Sequence, residues 1–84
     1  MSSLHEPDKT QAELQWLIRI ACELNRTAEL HRIGPHSTLD NLGLDVLTRS
    51  VLSGAIERRH GIVLGADEIT GRTTIGALAS RLAD

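Results

Sequence analysis

Few side chains in this 84-residue chain could do chemistry. The nucleophiles are Cys22 and a handful of hydroxyls, chiefly Ser37, Ser50 and Ser53, while His5, His31, His36 and His60 could move protons or bind a metal. Ser50, His60 and Asp45 can be combined on paper into a hydrolytic triad. Such a triad needs its serine on a strained elbow beside backbone donors for an oxyanion, and no elbow or oxyanion loop is visible. His31 and His36 are five apart in a loop and the other histidines are distant, so neither an HxxxH pair nor a Cys/His cluster points to zinc. No metal is expected. Gly61, Gly65, Gly71 and Gly76 read as turn and helix-end residues rather than a phosphate cradle. Independent catalysis is the least supported class, and the chain is not expected to be an enzyme.

Composition narrows the rest. The chain carries 9 basic and 11 acidic residues, a formal net charge of −2, so it has no basic surplus for phosphate backbones. Trp16 is its only aromatic residue, which leaves nothing to stack a run of bases. No nucleic-acid partner is expected. No apolar run approaches the roughly 20 residues that cross a bilayer, and the polar start MSSLHEPDKTQ is unlike a signal peptide. With a single Cys22 there can be no internal disulfide. A cytoplasmic, monomeric domain that makes no membrane contact is the expectation. A chain this short buries only about 60–65% of its unfolded surface, so its core must be small and aliphatic.

The elements that would position these residues follow from periodicity. Residues 1–8 are polar, contain Pro7 and read as a flexible arm, leaving residues 9–84 as a single domain. A first helix begins near Asp8 or Thr10, with Thr10–Glu13 or Asp8–Gln11 as capping-box pairs, and continues to about Asn25 or as far as Leu30. Leu14, Leu17, Ile18, Ala21 and Leu24 form its apolar stripe, widened by Trp16 and Ile20; Cys22 is expected to face the core. A lipid-lining role for Leu14, Trp16, Leu17 and Ile18 is conceivable, but core packing is the default. A long connection, His31 to Asp45, keeps Ile33, Leu39, Leu42 and Leu44 and should pack onto the core. Asp45 can cap a second helix with Leu47, Val51, Leu52, Ala55 and Ile56 as apolar positions, ended by Gly61. Asp67-Glu68-Ile69 suggests one short helical turn closed by Gly71. Thr73 or Thr74 then caps a last helix with Ile75, Leu78, Ala79 and Leu82 inward. The fold class is all-α: a bundle of three main helices, a short fourth, and a structured loop between the first two.

The segment Ile33-Gly34-Pro35-His36-Ser37-Thr38-Leu39-Asp40-Asn41-Leu42-Gly43-Leu44-Asp45 resembles the acyl carrier protein family, which has Leu-Gly-x-Asp-Ser-Leu at the start of the second helix. Here that motif reads Leu42-Gly43-Leu44-Asp45-Val46-Leu47. Ala55-Ile56-Glu57, Gly61-Ile62-Val63-Leu64 and Thr74-Ile75-Gly76-Ala77-Leu78 resemble later parts of the family pattern in the same register. The resemblance implies an acyl-carrier-like four-helix bundle over residues 10–82.

It also implies a prosthetic group, 4′-phosphopantetheine, borne by the serine that follows the Asp. In this sequence that position is Val46, flanked by Asp45 and Leu47. Forming the arm's phosphodiester requires a hydroxyl to attack the pyrophosphate of coenzyme A, and valine has none. No cofactor is therefore expected. Ser50, one turn on, is the nearest substitute, but Arg49 rather than Asp precedes it, and Ser53 and Ser37 lack the motif as well. The family's second helix is usually acidic. Here Arg49, Arg58 and Arg59 outnumber Glu57, although cations near a helix C-terminus also favour its dipole.

The resemblance thus implies protein partners, synthases or acyltransferases with an atypical charge preference, reading Leu44, Leu47, Arg49, Arg58 and Arg59. The expected function is a non-carrying interaction or regulatory module related to fatty-acid, polyketide or peptide synthesis. The alternatives are a genuine carrier of such a pathway with a variant or engineered Ser-to-Val site, and a non-covalent acyl or lipid binder.

Overall fold

A computed structural model describes residues 9–26 and 32–83. The expected arm at 1–8, a first helix reaching Leu30, and His5 and His31 lie outside the described residues. Three helices are present among those described: α1 (Lys9–Leu24), α2 (Val46–His60) and α3 (Ile75–Ala83).

The apolar stripe of α1 holds. Leu14, Leu17, Ile18 and Ala21 are buried against Ile75, Leu78, Ala79 and Leu82 of α3, while Trp16, Ile20 and Leu24 pack at the margin. Cys22 departs from expectation. It is half-buried and lines an open cleft of about 500 Å³ with Gln15, Ile18, Arg19, Glu23 and Arg26. The helix begins at Lys9, which places Thr10 inside it rather than at its cap.

The 32–45 connection is a structural member of the core. Leu39, Leu42 and Leu44 are buried, and the loop's backbone is stitched to the start of α3. Thr38 and Thr74 form an isolated antiparallel bridge, Leu39 N donates to Thr73 O at 3.0 Å, and Asp40 N donates to Gly71 O at 2.9 Å. The first amides of a helix have no partner within it. In α3 they find the loop instead: Ile75 N donates to Ser37 O (2.9 Å), Gly76 N to Pro35 O (2.7 Å), and Ala77 N to the Thr74 hydroxyl (3.0 Å). Gly76 is required there, because a Cβ would stand 2.7 Å from the Pro35 carbonyl oxygen. Gly43 turns the loop toward α2 with φ +75°, a left-handed conformation that disfavours other residues.

Two expectations are corrected here. The short fourth helix at Asp67–Ile69 is a turn, with Glu68 N donating to Gly65 O at 2.9 Å and the Glu68 carboxylate accepting from Gly65 N at 3.2 Å. The five residues between Gly65 and Gly71 cannot offset the cost of nucleating a helix, although Ile69 and Leu64 still plug the core. In α2, only Leu52 and Ile56 are buried; Leu47 and Val51 are 76% and 52% exposed. The α2 sequence carries two apolar stripes on opposite sides, and periodicity alone does not choose between them. No helix among the described residues is long and apolar enough to cross a membrane.

Candidate functional site

The start of α2 is built by its cap. Asp45 has extended backbone angles (φ −79°, ψ −175°), and its Oδ1 accepts from Thr48 N at 2.9 Å and from the Thr48 hydroxyl. Those donors, the hydroxyl first, lower the Asp45 pKa below its ordinary value. Its carbonyl accepts from Arg49 N at 2.8 Å, which closes the first turn. At the far end Gly61 adopts the left-handed conformation (φ 71°) and its N–H donates to Glu57 O, as the sequence predicts.

Val46 is the first helical residue after this cap, and it is 70% exposed. Asp45 and Leu47 flank it as the resemblance requires, and the position is open to a large macromolecule. What it presents is two methyl groups. A phosphopantetheine phosphodiester therefore has no oxygen to form on at residue 46, and the residue present does not fit that group. The neighbouring Thr48 hydroxyl donates to Asp45, and Ser50 lies one turn further along.

Beside Val46 runs a cleft of about 320 Å³ between α2 and the 64–70 segment. Val46, Leu64, Ala66 and Ile69 give it apolar walls; Ser50, Ser53, Thr70 and Arg49 supply polar ones. The structure thus brings Val46, Ser50 and Ser53 together. It does not bring together the paper triad, because Asp45 and His60 sit at opposite ends of α2, about 20 Å apart along its axis. Ser37 is buried in a turn, its hydroxyl accepting from Gly34 N at 3.0 Å. Among the described residues, no group of three His, Cys, Asp or Glu side chains could hold a metal ion.

The five residues assigned to partner binding divide sharply. Leu47 and Arg58 are exposed on α2. Leu44 is 1% exposed and belongs to the core, so it has no surface to offer a partner. Arg49 folds back: its Nη1 donates to Leu44 O at 2.8 Å and lies 3.7 Å from Asp40 Oδ1, leaving its side chain 18% exposed. Arg59 is used within the fold too. Its Nε donates to Glu13 Oε1 at 3.2 Å, and its guanidinium lies over the Trp16 ring, 4.7 Å from the centroid. The excess positive charge read along α2 is therefore largely neutralised internally.

Glu13 is the residue that sequence reasoning misassigned, as a capping-box partner. It lies four and eight residues before Leu17 and Ala21, on the apolar face itself, and a carboxylate placed there requires a buried partner. It has two. His60 Nε2 is 2.8 Å from Glu13 Oε1, and Arg59 shares the same oxygen. Burial raises the Glu13 pKa, but the hydrogen bonds from His60 and Arg59 and their charges outweigh it, and the net shift is downward.

Comparison with known proteins bears on the site as a whole. The family profile described as "Phosphopantetheine attachment site" matches residues 15–82, from the middle of α1 to the last turn of α3. No curated protein and no solved structure matches the chain. Domains of this kind are carriers, not catalysts, so the chain is not an enzyme, and its three helices, with no strand among the described residues, have the all-α acyl-carrier-like fold. The matched span includes the Asp45 cap, the loop stitched to α3 and most of the core-facing residues of the three helices: the chain belongs to the phosphopantetheine attachment site family.

Proposed function

We propose that this chain is a carrier-fold domain that no longer carries: a protein-interaction or regulatory module working beside fatty-acid, polyketide or peptide synthesis. The observation behind this reading is Val46, exposed at the first turn of α2 within an intact frame of Asp45 cap, Leu47 and buried Leu42 and Leu44. Valine in a helix costs only a few tenths of a kcal/mol relative to serine, so the substitution spares the fold and removes only the nucleophile. The module acts as a cytoplasmic monomer that offers the outer face of α2 to its partners. Incubation with coenzyme A, Mg²⁺ and a broad-specificity phosphopantetheinyl transferase should leave its mass unchanged. A Val46→Ser variant should gain one arm. Loading of the wild-type chain would sink the reading.

A second reading is supported by the cleft beside Val46, with its Leu64, Ala66 and Ile69 walls: non-covalent binding of an acyl chain. Titrating medium- and long-chain fatty acids should then raise the thermal midpoint and shift the amide resonances of Ser50, Ser53 and Thr70. Unchanged spectra at millimolar ligand would dismiss it.

A further inference from the structure

The two walls of the cleft beside Val46 are unlike. Leu64, Ala66 and Ile69 make one of them apolar, with Thr70 at its end. The α2 wall is polar beyond Val46: Arg49, Ser50 and Ser53 follow it at helical spacing and share its face. That is a poor wall for a saturated chain. Such a chain would strip water from two hydroxyls and a guanidinium and return no hydrogen bond to them.

Arg49 is anchored but only half used. Its Nη1 donates to Leu44 O at 2.8 Å and lies 3.7 Å from the largely exposed Asp40 carboxylate. A guanidinium carries five N–H donors in one rigid plane. Those on Nε and Nη2 have no partner among the described residues, and a free guanidinium edge grips a carboxylate through two parallel bonds. The Ser50 and Ser53 hydroxyls have no partner among the described residues either, whereas the Thr70 hydroxyl is shared with Thr73 at 3.2 Å. The nearby Asp45 carboxylate is taken up by Thr48.

Val46 decides the form in which a ligand arrives. Without an arm no thioester masks its carboxyl group, and a free carboxylic acid is ionised at neutral pH. We propose that the cleft takes a short, free hydroxy-carboxylic acid, its carboxylate on the Nε–Nη2 edge of Arg49 and its hydroxyl between Ser50 and Ser53. The carbon chain lies against Leu64, Ala66 and Ile69. This rests on the reading of the cleft as a non-covalent acyl site, and names the head group and the residue that receives it. A cleft of about 320 Å³ is near the small end of ligand pockets, which keeps the chain short. An arginine already fixed by Leu44 O loses little freedom when it binds.

The test titrates the full chain, ¹⁵N-labelled, with 3-hydroxyhexanoate, its methyl ester, hexanoate and inorganic phosphate at neutral pH. The hydroxy acid should shift the amides of Arg49, Ser50, Ser53 and Thr70. Its ester, which has lost the charge, should bind about tenfold more weakly, and hexanoate should also bind more weakly. Arg49→Lys keeps the charge but not the fork, and should weaken the hydroxy acid about tenfold. Should that variant lose its fold, Ser50→Ala combined with Ser53→Ala decides instead. It should abolish the preference for the hydroxy acid and leave hexanoate binding unchanged. Equal binding of acid and ester, or of 3-hydroxyhexanoate and hexanoate, would overturn the proposal and leave the acyl reading standing. Inorganic phosphate acting on the same amides as strongly as the acid would overturn it too. Silence from every carboxylate, long fatty acids included, would remove the acyl reading along with the proposal, so the two failures are distinguishable.

Discussion

Glu13 Oε1 stands 2.8 Å from His60 Nε2, joining residues 47 apart and tying the C-terminal end of α2 to the second turn of α1. Arg59 donates to the same oxygen and lies over Trp16, whose ring meets the His60 imidazole edge-on at 6.4 Å. The α1–α3 pair closes through side chains packed in the core. The α1–α2 junction adds this polar cluster to the buried Leu52 and Ile56, so a carboxylate helps hold the C-terminal end of α2 in place.

Removing that carboxylate should loosen α2. Glu13→Gln keeps the shape but loses charge-assisted bonds in a half-sealed site, at a cost of about 1–3 kcal/mol. Urea denaturation of the two proteins at pH 7 measures it. Trp16 emission in the folded variant should shift to the red as Arg59 leaves the ring. Equal stability and equal spectra would show that the cluster is ornamental.

The pH dependence has a definite sign. The pKa of Glu13 in the folded chain is held below its ordinary value of 4.5. Its contribution is therefore complete above that value and is lost as the pH falls through the lower, folded pKa. Wild-type stability should decline from about pH 4.5 downward, and that of Glu13→Gln should decline less over the same window. Asp45, also lowered, adds to the acid loss in both proteins. Parallel pH profiles would contradict the role given to Glu13.

Two glycines should respond to alanine in opposite directions. Gly54→Ala brings a methyl group into ordinary contact, 3.7 Å, with the flexible tip of Arg58 and should stabilise the chain by about 0.5–1 kcal/mol. Gly76→Ala drives a methyl group against the Pro35 carbonyl and should destabilise it by about 1–3 kcal/mol, parting the loop from α3. Thermal midpoints of the two variants suffice, and a shared sign would refute the packing described at one of them.

Much of this was legible in the residues themselves. Asp45, Gly61 and Thr74 announce helix ends because their side chains or backbone freedom act within a few positions, and the inward faces of α1 and α3 follow from single stripes. Long-range pairing was not legible. Nothing local says that Glu13 finds His60, that Arg49 reaches back to the Leu44 carbonyl, or that Leu44 sinks into the core while Leu47 stays out. α2 is the hardest case because both its faces are apolar, and only the placement of its neighbours decides which one is buried. Position 46 is singled out by the resemblance, and the structure adds that Val46 is exposed at a capped first turn.

Val46→Ser should be nearly silent for folding, within about 0.5 kcal/mol of wild type, because an exposed first-turn residue buries little. A much larger loss would mean that the valine has a packing role and is more than a missing nucleophile.

The most direct measurement is the intact mass of the protein isolated from its native cells, with fragmentation to locate any added group. A carrier-fold domain that no longer carries should show the mass of the polypeptide alone across the Val46–Ser53 segment. A species heavier by one phosphopantetheine, on Ser50 or on any other residue, would contradict that claim.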